Sequence, residues 1–267
     1  MTSSTATAPD STSSPDVTLR YESPHVAVIT MDHPPSNTLS WESRQQIKAI
    51  LDQLDADTDV RCVVITGTGK AFTAGANLRE DQAMTDDQLQ AFLGDFDRIL
   101  TGIEQFRTPV IAAINGATIG GGLEFAMACD IRIASTDAFF VAAGVNVGLI
   151  ANFWRLTRIT GLGPAKEILY TGGRYTAEQA LRWGLVTEVH SPDELLPAAL
   201  AKAERIATRA PLSVEATKAC ANEAPEMSRE QAQTRQVANF RRMFATEDHQ
   251  EALRAFFDRR VGDYHRR

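Results

Sequence analysis

Two glycine-rich segments carry the residue types and spacing that could do chemistry. The first is Gly67-Thr-Gly-Lys-Ala-Phe-Thr-Ala-Gly-Ala-Asn-Leu-Arg-Glu80, after a β-branched run ending at Thr66. The second is Asn115-Gly-Ala-Thr-Ile-Gly-Gly-Gly-Leu-Glu-Phe-Ala-Met-Ala-Cys-Asp130, after Val110–Ile114. Each places glycine between a strand end and a helix start. There the backbone can approach a ligand closely, and N–H groups without a helical partner point outward. Turn-making alone is the alternative reading of the same glycines. Phosphate cradles are the first chemistry to test. A P-loop needs GxxxxGK[ST], but Gly69-Lys70 is followed by Ala71, and Val64 stands five residues before Gly69. A dinucleotide fingerprint needs GxGxxG opening a helix, and Gly120-Gly-Gly-Leu-Glu-Phe125 lacks its last glycine. The histidines at 25, 33, 190, 249 and 265 have no HExxH spacing, so a metal site is not expected. Cys62, Cys129 and Cys220 form no CxxC; an odd, sparse set fits buried thiols in a reducing compartment.

The elements that must position these loops follow from periodicity. Val17–Glu22 and Val26–Met31, with Ser23–Pro24 between them, read as a hairpin. Ser40 caps a helix with Ile47, Ile50, Leu51 and Leu54 on one face, and Cys62–Thr66 is a buried strand. Leu89, Phe92, Leu93, Phe96, Ile99, Leu100, Ile103 and Phe106 recur at helical spacing and predict one long amphipathic helix. Val110–Ile114 is again a buried strand. After about Gly161 the strands nearly stop. Pro164–Thr171, Ala177–Trp183, Asp193–Ala207, Leu212–Ala221, Ser228–Phe244 and Asp248–Arg260 read as helices, with Ser228 and Gln231 forming a capping box. The 267 residues divide into a disordered tail at 1–16, an α/β core at 17–195 and a helical region at 196–267 suited to oligomerisation. The tail has neither the apolar core of a signal peptide nor the arginines of a transit peptide, so a cytoplasmic location is expected. A net charge of −7 argues against nucleic acid as the main partner, and no apolar run is long enough for a membrane span.

Taken together and in order, the motifs resemble the enoyl-CoA hydratase/isomerase (crotonase) family over about residues 17–260. Pro35-Ser-Asn-Thr-Leu39 is similar to its P-x-N-A-L element, and Ala71-Phe-Thr-Ala-Gly-Ala-Asn-Leu78 to its AF-x-AGADL loop. Asn115–Glu124 with Cys129-Asp130 is similar to NG-x-A-x-GGG-x-E…CD. Leu169-Tyr-Thr-Gly172, Ala177–Ala180 and Gly184-Leu-Val186 are similar to L-x-TG…A-x-EA…GLV. The resemblance implies an α/β fold, a crotonase-like spiral of ββα units with a C-terminal all-helical region, assembled as a homotrimer or a dimer of trimers. It implies an acyl-CoA thioester substrate, with coenzyme A entering as part of that substrate and no separate cofactor, in fatty-acid or related metabolism. The backbone N–H groups of Ala76 and Gly121 would form the oxyanion hole for a thioester enolate. Ala74, Asn77 and Leu78 would flank the adenine and pantetheine, with Asn77 standing where the family usually has Asp.

The family's hydratases use two glutamates. The first matches Glu124, which could also be a residue that merely suits the start of a helix dipole. The second belongs in a stretch like F-x-x-PE-x-x-x-G. Phe140 and Gly148 fix that register, and Gly144 falls on the glutamate. The P-GAGGTQ-type loop that should follow is replaced by Leu149-Ile-Ala-Asn-Phe-Trp-Arg-Leu156, about three residues shorter and carrying Phe153 and Trp154. A divergent member is therefore expected, acting as a hydratase/isomerase-like lyase or isomerase, or as a catalytically weak acyl-CoA-binding protein. Asn152 could reach the site but does not titrate. Glu80 and Asp81 read as an exposed acidic face, His190 as a surface residue without a partner, Trp154 as core or pocket wall, and Arg259 and Arg260 as solvated or as contacts for CoA phosphates.

Overall fold

The structure is a computed structural model that describes residues 15–77 and 84–267. Its first elements are β1 (Val17–Ser23), β2 (Val26–Met31), α1 (Trp41–Ala56), β3 (Cys62–Gly67) and β4 (Ala71–Thr73). A long helix α2 (Asp86–Gln105) leads to β5 (Val110–Ile114), β6 (Ala117–Ile119) and α3 (Gly121–Ala128). Then come β7 (Ile131–Ser135), β8 (Phe139–Val141), a 3₁₀ turn (Ala143–Val147), α4 (Phe153–Thr160) and α5 (Leu162–Thr171). The chain closes with β9 (Tyr175–Thr176), α6 (Ala177–Arg182), β10 (Glu188–His190), α7 (Pro192–Ala207), α8 (Pro211–Glu223), α9 (Arg229–Phe244) and α10 (Glu247–Asp258).

Six strands form one sheet in the order β1-β2-β3-β5-β7-β10, and four short ones form a second in the order β4-β6-β8-β9. Only β1 in the first sheet and β9 in the second run antiparallel to their neighbours. Successive units, β3-β4-α2 and β5-β6-α3, place one strand in each sheet before their helix. The chain thus winds as a spiral of ββα turns, as the resemblance implied.

The pleat explains why the large sheet reads as unbroken apolar runs. Val26, Val28, Cys62, Val64, Ile111, Ala113 and Ile133 face Leu195, Ala199, Ala203 and Ala207 of α7. Their alternates Ala27, Ile29, Val63, Ile65, Ala112 and Ile114 face the interior with Phe72, Phe125 and Phe140. The boundary expected between 195 and 196 falls inside α7, whose small-residue stripe closes the outer face of this sheet. The four-residue repeat of Leu195, Ala199, Ala203 and Ala207 lets that helix lie flat on the strands.

The hairpin, α1 with its Ser40 cap, β3 and β5 fall where the pattern puts them, within a residue or two. The capping box at Ser228 and Gln231 is present, and Thr85 with Gln88 makes another at the head of α2. Part of the expected α2 face is not used within the chain: Ile99, Leu100 and Ile103 are buried, but Leu89 and Leu93 are exposed. The cysteines carry no disulfide. Burial pushes the Cys62 and Cys129 thiols up to about 12, and Cys220 is half-buried. Among the described residues no helix is long and apolar enough to cross a membrane.

Candidate active site

Asparagine side chains hold the two glycine loops together. Asn37 is buried with φ of 51°, accepts from the His33 N–H at 2.9 Å, and donates to the Thr68 and Ala71 carbonyls at 3.0 and 2.8 Å. Asn115 accepts from the Gly67 N–H at 3.1 Å and donates to the Gly69 and Ala71 carbonyls at 3.2 and 3.0 Å. The backbone of the Pro35–Leu39 segment adds two more ties, Ala74 N–H to Ser36 O and Leu39 N–H to Gly75 O. The short strands β4 and β6 pair side by side and deliver both loops to one place. Both glycine segments therefore turn from the large sheet into the small one, and the second turns again from the small sheet into α3. The sequence pattern reads each segment as a single strand-to-helix turn, because the short strands β4 and β6 leave no periodic trace.

Backbone meets backbone at that place. Gly75, at φ +77°, lies so close to the start of α3 that a Cβ on it would sit 2.7 Å from both the Gly121 and Gly122 nitrogens. A Cβ on Gly121 would sit 3.5 Å from the Ala76 nitrogen and 3.1 Å from the Phe96 ring. Ala76 N–H and Gly121 N–H are thus neighbours at the mouth of a helix, and neither donates to another described residue. Gly121 is the first residue of α3, so its N–H has no acceptor in the helix. Ala74, Ala76 and Asn77 are half-buried around this point. Leu78, Glu80 and Asp81 lie outside the described residues.

Glu124 stands one turn into α3, its side chain 15% exposed. Arg155 of α4 donates from Nη1 to its Oε2 at 3.2 Å. The same guanidinium grips Glu104 with two bonds, Nε to Oε1 at 2.7 Å and Nη2 to Oε2 at 3.1 Å. The backbone N–H of Asn152 lies near enough to the Glu124 carboxylate to favour its ionised form. Burial raises the proton affinity of Glu124 above the ordinary carboxylate value, and the Arg155 charge offsets part of that rise. Asn152 itself is buried with φ of 65°, and its Nδ2 donates to the Gly120 carbonyl at 3.0 Å. Arg155 thus holds Glu124 from the first turn of α4, while Asn152 just before it ties to Gly120 at the head of α3.

Arg155 and Glu104 were not singled out by the sequence reading. Arg155 follows Asn152 by three residues, a spacing that puts both on one side of a helix start. Glu104 gave no signal, because its pairing with Arg155 spans 51 residues. Gly144 sits in the 3₁₀ turn, where a Cβ would lie 2.9 Å from the Leu149 carbonyl oxygen and 3.1 Å from the Ala151 nitrogen. His190 is corrected: it is half-buried and lies 3.0 Å from Glu188, because residues two apart on a strand share a face. Trp154 is half-exposed and carries the Arg158 guanidinium 4.4 Å above its ring. Arg260 pairs with Glu251, and Arg259 ends α10 in the left-handed conformation.

A sequence profile described as enoyl-CoA hydratase/isomerase matches residues 22–267. The short-chain-enoyl-CoA hydratase of Clostridium acetobutylicum is 35% identical over 88% of this chain and 92% of its own. The (E)-benzylidenesuccinyl-CoA hydratase of Thauera aromatica is 38% identical over 89% and 94%. A crystal structure of enoyl-CoA hydratase from Bacillus anthracis superposes with a TM-score of 0.92 at 32% identity, covering 94% of this chain and all of the other. With profile, relatives and fold in agreement over nearly the whole described length, the chain belongs to the enoyl-CoA hydratase/isomerase family and has its crotonase fold, with helices at the C-terminal end.

Proposed function

We propose that this protein is an acyl-CoA enzyme that stabilises a thioester enolate between the N–H groups of Ala76 and Gly121. The observation that carries this reading is the approach of the Gly75-Ala76 backbone to the first residue of α3. Two donors that bond to no other described residue, beside a helix N-terminus, suit an oxygen that becomes negative during reaction. Each such donor is worth about 2.7–4 kcal/mol of transition-state stabilisation. Ala74, Asn77 and Leu78 would flank the adenine and pantetheine. Hydratases among the relatives favour the same substrate class.

Glu124 is the acid–base group in this reading. A group that must both take and return a proton works best when its proton affinity lies near the working pH, and burial moves Glu124 in that direction. With a 3-enoyl thioester, Glu124 would remove a proton from C2. The electron pair would move onto the thioester oxygen between the two N–H groups. The same proton delivered to C4 would leave a 2-enoyl thioester. One carboxylate balances that isomerisation. Efficient hydration needs a second proton-handling group, and Gly144 offers none. The crowding around Gly144 keeps a second reading in view, an acyl-CoA-binding protein with weak turnover. As an assembly, a homotrimer or dimer of trimers fits the exposed helices at the C-terminal end.

Separate incubations with crotonyl-CoA and a 3-enoyl-CoA, followed by mass and thioester absorbance, test the reaction. Calorimetric titration with a saturated acyl-CoA tests the ligand. We expect binding of the saturated thioester, isomerisation of the 3-enoyl-CoA, and hydration of crotonyl-CoA slower by about 10²–10⁴-fold than in a two-glutamate enzyme. Glu124→Gln lowers turnover by a similar factor and leaves affinity nearly unchanged. Gly121→Ala, which sets a methyl group beside Ala76 N–H, weakens both. Binding of NAD in preference to acyl-CoA would sink the reading. Binding without any turnover would leave the binding-protein alternative.

A further inference from the structure

We propose that Arg155 is a positioning residue for Glu124 and that Glu104 tempers its hold, the guanidinium fixing the Glu124 carboxylate while Glu104 competes for the same guanidinium. The inference deepens the reading of Glu124 as the acid–base group and rests on it. The geometry is an arginine shared unequally between two carboxylates. Glu104, at the end of α2, takes two bonds in the fork arrangement that fits a guanidinium best. Glu124 receives the remaining Nη1 donor at 3.2 Å. All three side chains are mostly covered, at 13% exposure for Arg155, 27% for Glu104 and 15% for Glu124. Solvent therefore screens the cluster far less than a surface pair.

Beside the Asn152 N–H, which favours the ionised form, these two charged groups govern Glu124. Helix α3 packs against α2, α4, β4 and β6. The strands Ala71–Thr73 and Ala117–Ile119 carry no titratable side chain. On α2, Asp95 is occupied by Arg44 and Arg98, and on α4, Arg158 is occupied by Glu226. Among the charged side chains of the described residues, Glu104 and Arg155 are what remains to act on Glu124. They act in opposite senses, since a cation favours the ionised carboxylate and a neighbouring anion opposes it. The pair also joins α2 to α4 across the Glu124 helix. Its placement directly after the shortened loop gives that loop a role other than carrying a second glutamate.

The test is a carboxyl titration, so it does not depend on turnover. In protein labelled with [13C]glutamate, the Glu124 Cδ signal is assigned by its loss in Glu124→Gln. We expect Arg155→Met to raise the Glu124 titration midpoint by about one pH unit or more, Arg155→Lys to restore part of the shift, and Glu104→Gln to lower the midpoint. Opposite shifts from the two ends of one ion pair are not expected of residues that only support the fold. Unchanged midpoints in both Arg155→Met and Glu104→Gln would overturn the proposal. If Arg155→Met does not fold, Glu104→Gln decides alone: a lowered midpoint supports the proposal and an unchanged or raised one overturns it. Failure of the underlying reading is seen separately, as unchanged 3-enoyl-CoA turnover in Glu124→Gln.

Discussion

In the proposed reading Gly144 stands where a two-glutamate site would carry its second carboxylate, and the missing side chain is only half of the difference. The Leu149 carbonyl oxygen and the Ala151 nitrogen stand 2.9 and 3.1 Å from where a Cβ would be. A carboxylate there must first displace the backbone of residues 149–151. Gly144→Ala is therefore expected to cost about 1–3 kcal/mol, the usual penalty for forcing extra atoms into a packed site, read as a lower urea midpoint. Gly144→Glu is expected to lose stability in the same assay and to leave crotonyl-CoA hydration within about tenfold of wild type. A well-placed general acid would instead bring about 10²–10⁴-fold, and a rise of that size would show that the space is open. The contrast with Arg155 shows what a sequence can display at this scale. The glycines of the two loops are legible because close backbone approach admits few residue types, whereas Glu124 stands out only through the family resemblance. The grip of Arg155 on Glu104 and Glu124 joins residues 51 and 31 positions apart, and no spacing rule marks such a pair.

Between elements, one buried ion pair fastens α8 to the sheet. Lys218, 8% exposed, donates to the Ile103 and Thr108 carbonyls at 3.1 and 3.0 Å and meets Asp130 at 2.8 Å. Asp130 also accepts from the Val110 N–H at 2.7 Å, so it ties the start of β5 as well. This gives the Cys129-Asp130 motif a structural purpose: it closes the corner where α3 turns into β7. Removing one partner leaves a covered charge without compensation, which costs about 3–5 kcal/mol. Lys218→Met should lower stability to chemical denaturation by that amount, and adding Asp130→Asn should recover part of it. Additive losses would show that the two side chains act independently. The long elements were legible because each buries a repeating face. The strands β4, β6, β8 and β9 were not. They hold two or three residues each and owe their form to lateral pairing, which leaves no periodic trace.

For the whole molecule, α9 poses the sharpest problem. It is sixteen residues long and buries none of them within the chain. Isolated helices near that length are marginal in water, and most helical stability comes from packing an apolar face. Phe240 and Phe244 stack at 6.2 Å on α9 and are exposed, as are Phe256 and Phe257 on α10. A covered phenylalanine removes about 150–250 Å² from water, so four exposed rings leave considerable apolar area for a partner to cover. The net charge of −7 gives identical chains a reason to stay apart. An apolar interface must outweigh that repulsion. We therefore expect the protein to sediment as an oligomer at micromolar concentration, and the family resemblance implies a trimer or hexamer. The Phe256→Asp and Phe257→Asp double variant should shift it toward monomer, because each carboxylate would have to lose its water to enter such an interface. Circular dichroism of the variant separates dissociation from unfolding. Retained helix content with a smaller mass supports the interface, and lost helix content with a smaller mass shows that α10 folds only against its partner. A wild-type chain that stays monomeric throughout would mean that these rings face water, and the helical end would then serve the chain's own core alone.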